Sequence, residues 1–338
     1  MMSPTATATA PLTTTPTTPT EAAMPLPPTS DDTSPALDDA LAILATIPQS
    51  RDEDYAHTRI EHDSLGEMAI PADAYWGIHT ARALVNFPIS GTPISTYPDL
   101  ITAFACVKQA AARANMDLGI IDRAHGRLID RAAEDIRDGA LRDEFVVDIL
   151  QGGAGTSTNM NVNEVIANRG LEIAGYPKGD YTHLHPLDHV NHSQSTNDTY
   201  PTAFKIGLHW AVTRLLDELA LLEGAFAAKG AEFAGILKIG RTQLQDAVPM
   251  TLGQEFASFA TTLNEDRSEF EALQPYLLEM NLGATAIGTG ITADPGYAAL
   301  VRSHLSTITG LPLKTAANLV AATSDVGVFL KLSGVLKT

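Results

Sequence analysis

The chain has 338 residues, 44% of them hydrophobic, and carries 22 Lys+Arg against 40 Asp+Glu for a formal net charge of −18. That much apolar side chain excludes a disordered chain and buries a core across roughly two domains, while the lack of any Lys/Arg cluster excludes a nucleic-acid or anionic-membrane partner. The single cysteine, Cys106, excludes a disulfide framework and a Cys-based zinc site and fits a reducing, cytoplasmic compartment; no apolar run reaches the ~18 residues of a membrane span.

The Thr/Pro/Ala-rich residues 1–54 have no Lys or Arg before Arg51, so they lack the basic region of a secretory signal and the arginines of a transit peptide. Recurrent proline blocks helix and sheet there, and a disordered, polyproline-leaning extension is expected, with a short helix over residues 38–47. Residues 59–98 place Gly66, Pro71, Gly77, Pro88, Gly91 and Pro93 around short apolar runs and read as loops, short strands and one helical turn. Leu100, Phe104, Val107 and Ala111 mark a helix over residues 99–114, and Asp122 opens another over residues 124–136. A polar stretch over residues 151–163 precedes a helix over residues 164–173 that stops at Gly175. Beyond Asn197, Phe204, Leu208, Val212, Leu215, Leu219 and Phe226 form one long helical stripe; a second long helix follows Pro249 and a third follows Leu313. Long helices joined by polar turns make a bundle. The expected fold is mainly α, with an N-terminal domain over residues 55–194 and a central helical bundle, incomplete at its end, over residues 195–338.

Four polar stretches interrupt these stripes. Residues 152–161 (GGAGTSTNMN) set glycines beside hydroxyls before a helix, which suits either a plain N-cap or an anion site. A dinucleotide fingerprint is excluded by the missing third glycine and the absent preceding strand. Residues 183–192 (HLHPLDHVNH) hold four histidines, but Pro186 and the irregular spacing keep one helical face from presenting them, which favours a solvated loop or an accessory anion site over a metal. Residues 193–198 (SQSTND) head the long helix as caps. Residues 240–249 (GRTQLQDAVP) read as a polar turn.

In this order, and together with residues 59–61 (RIE), 72–80 (ADAYWGIHT), 281–290 (NLGATAIGTG) and 322–325 (ATSD), these stretches closely resemble the aspartase/fumarase superfamily, on its aspartase side. The resemblance covers nearly all of the chain after the extension. It implies a helical homotetramer with sites assembled from three subunits, no cofactor, and reversible anti-elimination from a small dicarboxylate to give fumarate. Carried over by position, Gly155, Thr156, Ser157, Ser195 and Thr196 bind the substrate carboxylate beside the departing proton, and Asn197, Thr242 and Gln243 face the leaving group. His185 and Asp188 match an accessory carboxylate site, where Leu187 replaces the family's asparagine.

A proton beside a carboxylate is weakly acidic because its loss adds a second negative charge to the same group, so several preorganised donors must meet the carboxylate oxygens. Hydroxyls and amides at helix N-termini are such donors. Hydroxide needs a general acid to leave, and fumarases carry histidine where this chain has Gln243; ammonium leaves as ammonia and needs no proton donated. Deamination of L-aspartate is therefore the expected reaction, with class II fumarate hydration as the alternative. The resemblance places the general base, a serine, in a loop of pattern G-S-S-x-M-P-x-K-x-N-P that these residues do not contain. That loop is expected beyond Thr338, so no catalytic base is assigned within residues 1–338. The chain as given is expected to be an inactive fragment of a tetrameric lyase, the contrasting reading being a short, non-catalytic relative.

Overall fold

The computed structural model describes residues 57–338 apart from Ala154; the extension expected over residues 1–54, with its short helix, lies outside the described residues. Thr58–Asp63 (β1) and Gly66–Pro71 (β2) pair antiparallel. Arg59 then donates to the carbonyls of Pro71, Ala72, Ala74 and Trp76, stitching the loop that leads into Ile78–Asn86 (α1). This segment is a nine-residue helix rather than the single turn expected. It has no side-chain cap of its own, so no local signal announces it. Instead Glu164 takes the N–H groups of Gly77 (2.8 Å), His79 (2.8 Å) and Thr80 (3.1 Å), and Glu61 takes that of Ile78 (2.8 Å), so two distant carboxylates satisfy the helix start.

Pro98–Asp117 (α2) and Arg123–Arg137 (α3) fall where the periodicity puts them, α3 capped by the Asp122 carboxylate on the N–H groups of Ala124 and His125. Thr156–Ala174 (α4) starts eight residues earlier than residue 164. Its first half is polar yet buried: Asn159, Asn161, Asn163 and Glu164 all lie inside, where each amide ties down another segment, as Asn161 does with Val146 and Glu144. Thr196–Glu232 (α5) is 37 residues long and begins with a capping box between Ser195 and Asp198. Pro201, in its second turn, has no N–H for the Asn197 carbonyl, and Asn281 Nδ2 fills that gap at 3.0 Å.

The expected polar turn after α5 is a β-hairpin, Leu237–Thr242 (β3) against Gln245–Thr251 (β4). None of its residues is buried, so it packs against no core of its own chain. Leu252–Leu277 (α6) returns along α5, capped by Thr251 on Gln254 N–H. Glu279–Met280 (β5), the short Thr285–Gly288 (α7), Tyr297–Thr309 (α8) and Lys314–Thr315 (β6) follow, with β5 and β6 pairing in parallel. The long helix expected after Leu313 is two short ones, Leu319–Ser324 (α9) and Gly327–Val335 (α10). Residues 314–318 are strand and loop, and Asp325 in extended conformation separates the helices.

Helix α2 is the axis of the main core: Phe104, Ala110 and Ala111 are fully buried, and α3, α5 and α8 pack around it. A second cluster, Val212, Phe270, Leu273, Leu277 and Leu332, joins α5, α6 and α10. Towards the hairpin, cover runs out. Leu221 is 70%, Leu237 78% and Leu244 97% exposed. Among the described residues no helix is long and apolar enough to cross a membrane.

Burial pushes the Glu164 carboxyl from 4.5 up to about 7. The fold then keeps a proton that the unfolded chain has lost, so this stabilisation is full below about pH 4.5 and disappears as pH rises through about 7. Relative to Glu164→Gln, which does not titrate, the parent protein should lose on the order of 2–3 kcal/mol over that window. Urea melts of both proteins at the two ends measure it, and parallel pH profiles would contradict the assignment.

Candidate active site

The starts of α4 and α5 lie side by side. Gly155, at φ +89°, turns the chain into α4, and a Cβ there would sit 2.1 Å from the Tyr200 ring, so glycine is the residue that lets the two helices approach. Thr156 is exposed and Ser157 half-buried on the first turn of α4; Ser195, Thr196 and Asn197 are half-buried on that of α5. Gly153, Gly155, Asn197, Tyr200, Thr323 and Asp325 line part of a cavity of about 520 Å³ at this junction.

Ser195, Thr196 and Asn197 each have a definite partner. The Ser195 hydroxyl accepts from Asn197 N–H at 3.2 Å, and Ser195 N–H donates to Asp198 at 3.0 Å, so the serine caps its helix. Thr196 Oγ1 accepts from Asn159 Nδ2 at 3.3 Å. Asn197 Nδ2 donates to the carbonyl of Ala286 at 2.7 Å, and Ala286 holds φ +57°, a left-handed conformation that costs a non-glycine residue about 1 kcal/mol or more. Gly283 N–H donates to Asp198 at 3.0 Å. Residues 281–290 thus pin the α5 N-terminus from outside.

Thr242 and Gln243 are elsewhere. They sit at the exposed tip of the β3–β4 hairpin, after the far end of α5. The 37 residues of that helix put its ends ~55 Å apart, so one chain does not bring them to Ser195 and Thr196. The two-residue turn, Gln243 at φ +50° and Leu244 at φ +66°, is the mirror-image hairpin turn built without its usual Asn or Gly.

Thr338 takes no part in the junction of α4 and α5. It is exposed just past the end of α10, where its hydroxyl donates to the Val335 carbonyl at 2.7 Å. It lines a separate hollow with Glu265, Glu269 and Tyr276 of α6, and none of these lines the cavity beside Asn197.

The histidine stretch divides among structural contacts. His185 Nδ1 accepts from the N–H groups of Leu187 (3.2 Å) and Asp188 (3.1 Å), capping the turn Pro186–Val190. A nitrogen that accepts twice carries no proton, so His185 meets Asp188 with its neutral edge. His183 stacks on Tyr176 and His189 on His125. Among the described residues no group of three His, Cys, Asp or Glu is placed to hold a metal ion.

Two buried charges underneath escaped the sequence reading. Lys108 of α2 is wholly buried and donates to Asn159 Oδ1 (2.7 Å), Gln194 Oε1 (2.9 Å) and Asn191 Oδ1 (3.0 Å); burial pulls its ammonium down to about 7, against the pull of Asp198. Burial likewise pushes Asp198 up to about 6, opposed by the N–H groups of Ser195 and Gly283. The available signal was position: Lys108 falls on the stripe of Leu100, Phe104 and Ala111, where a charge has to be buried.

Comparison with known proteins agrees with the resemblance. The family described as Lyase matches residues 66–338. Aspartate ammonia-lyase from Pseudomonas aeruginosa is 58% identical over 283 residues, 83% of this chain and 60% of that protein. The Escherichia coli K12 aspartate ammonia-lyase is 49% identical over 280 residues, 82% of this chain and 59% of that protein. Among solved structures, the cobalt-bound fumarate lyase:delta crystallin from Brucella melitensis gives a TM-score of 0.81 at 53% identity, covering 83% of this chain and 61% of that one. A class II fumarase from Schistosoma mansoni gives 0.78 at 33% identity, covering 82% and 61%. This chain thus spans about 60% of the length of the curated relatives it matches. A helical fold built around the paired starts of α4 and α5, matched over residues 66–338, places the chain in the lyase family.

Proposed function

We propose that the complete protein is a cytoplasmic aspartate ammonia-lyase, a homotetramer that converts L-aspartate reversibly to fumarate and ammonia. The observation that carries the reading is the pairing of two helix N-termini, bearing neutral hydroxyl and amide donors, beside one cavity. In an acidic chain such donors hold a dianion by local hydrogen bonds and helix dipoles. Thr156, Ser157, Ser195 and Thr196 meet the carboxylate next to the departing proton, Gly155 lets the backbone approach, and Asn197 lies toward the amine. His185 retains Nε2 for an accessory carboxylate contact. As the proton leaves, charge builds on that carboxylate and its donors strengthen; the C–N bond then breaks, the electron pair forms the double bond, and ammonia departs. Proton abstraction falls to the serine loop of the complete lyase.

The ~55 Å length of α5, which stands between Thr196 and the hairpin that carries Gln243, supports a site shared between subunits. So does the uncovered apolar surface along the upper parts of α5, α6 and the hairpin, which an assembly of such helices buries. The amide at Gln243 hydrogen-bonds an amine but donates no acidic proton to a leaving hydroxide.

In the complete enzyme, fumarate absorbance should rise with L-aspartate, while fumarate without ammonia should give little malate. Malate formed as fast as aspartate is deaminated would assign the fumarase reaction instead. Thr196→Ala should lower kcat by ~10²–10³ while leaving KM nearly unchanged, the loss typical of one oxyanion donor. A stable variant with full activity would reduce Thr196 to a helix cap.

Sharing is testable by mixing. Thr196→Ala and Gln243→Ala chains, each nearly inactive alone, should regain about a quarter of parental activity when unfolded and reassembled together, because that share of sites draws both residues from unmutated copies. No recovery from a mixed tetramer would confine the site to one chain.

A further inference from the structure

Under the α5 start, three side-chain amides turn their oxygens toward one point, and the group at that point is Lys108. Its ammonium has three N–H bonds and no lone pair, so it meets only acceptors. Asn159, Asn191 and Gln194 therefore present Oδ1, Oδ1 and Oε1 to it, at 2.7, 3.0 and 2.9 Å, and each has to aim its NH2 group away. For Asn159, the NH2 group faces Thr196: Nδ2 donates to Thr196 Oγ1 at 3.3 Å and to Asn191 Oδ1 at 3.0 Å. Once its oxygen accepts from Asn159, the Thr196 hydroxyl has its one proton left to give outward. Were Asn159 turned over, its carbonyl would face Thr196 and draw that proton inward.

The charge itself is equally well placed. Lys108 bonds to three neutral oxygens, while Asp198, the buried carboxylate near it, is held by the N–H groups of Ser195 and Gly283. Burying an ammonium without a carboxylate in contact is costly, and apolar residues of similar volume would pack there more stably. A purely structural role leaves that cost unexplained.

We propose that Lys108 is a positioning residue of the lyase, fixing through Asn159 the orientation in which the Thr196 hydroxyl donates to the substrate carboxylate, and placing a positive charge behind the two helix starts. The proposal rests on the lyase reading, deepening the account of that same site.

The test is a double-mutant cycle in the complete enzyme with Lys108→Met, Thr196→Val and the pair. Lys108→Met should lower kcat for L-aspartate by about 10²-fold with KM changed by less than about threefold. The double variant should be no slower than Thr196→Val, since without the hydroxyl there is nothing left to orient. Multiplying losses, or unchanged kcat in Lys108→Met, overturns the proposal. Should Lys108→Met fail to fold, Asn159→Asp keeps the lysine paired while setting an acceptor oxygen against Thr196; it should lose kcat by a similar factor, and parental kcat in that variant overturns the proposal. Calorimetric titration with succinate, a dianion with no leaving group, separates the two readings. A parent protein that binds succinate but does not turn over aspartate refutes the lyase assignment alone, and Asn159→Asp should then weaken succinate about tenfold. Equal affinity for the two proteins, or no binding to either, removes the positioning role.

Discussion

An α-helix cannot satisfy its own first N–H groups, and this protein brings two such starts together at a surface cavity and seals off what lies beneath them. Polar groups on that largely buried underside have to find partners among themselves. Lys108, Asn159, Asn191 and Gln194 bond to one another, Asp198 takes the N–H groups of Ser195 and Gly283, and the surrounding folds follow from it. Helix α2 must run close enough to deliver Lys108, which the small buried residues three and four positions from it, Ala105, Ala111 and Ala112, allow by keeping that face thin. Residues 281–290 must lie against α5 to bond Asn197 and Asp198, and α8 holds that segment onto α2. At the other end of the same domain, Glu164 and Glu61 do for α1 what the buried amides do for α5.

The acidic character of the chain is compatible with this arrangement. A net charge of −18 repels a dicarboxylate at long range, but salt screens exposed charges beyond about 10 Å. The cavity lining is largely apolar, with Gln151, Asn197 and Thr323 among its neutral polar side chains and Asp325 as its one carboxylate; the hydroxyls of the two helix starts stand beside it, with the Lys108 ammonium buried underneath. Hydrogen bonds in a poorly screened environment outweigh the distant surface. For the proposed elimination, neutral donors would have a further advantage: they stabilise charge as it develops without binding either carboxylate so tightly that product release suffers.

What the sequence revealed depended on how local each signal was. The caps of α3 and α5, at Asp122 and Ser195, lie within three residues of the N–H groups they serve, and the stripes of α2 and α5 repeat within a turn or two, so both were readable. The start of α4 was not, because Asn159, Asn161 and Asn163 look like loop residues until their partners, far away in sequence, are known. The same holds for α1, whose cap comes from Glu164, and for Lys108, which reads as an ordinary helix former unless its place on the apolar stripe is noticed. The β3–β4 hairpin was hidden for a different reason. Leu237, Lys238 and Ile239 alternate, but Asp246, Ala247 and Val248 do not keep the pattern, and the turn residues, Gln243 and Leu244, are not those that favour left-handed backbone.

That turn gives the last link between conformation and site. Left-handed non-glycine residues among the described residues are few, and four of the five, Ser193, Gln243, Leu244 and Ala286, belong to stretches that carry the family resemblance. Ala286 is held in that state by what it accepts: its carbonyl takes the Asn197 amide, so its strain is balanced by contact with the proposed site. Gln243 and Leu244 have no such support within the chain, since Leu244 is almost fully exposed. A strained, apolar, uncovered tip is poorly explained as a free surface. In the proposed assembly, contact with another copy would bury Leu244, offset the backbone cost and carry Gln243 toward the Thr196 end of a neighbouring α5. On that reading the length of α5 sets how far apart the two halves of the proposed site stand in one chain.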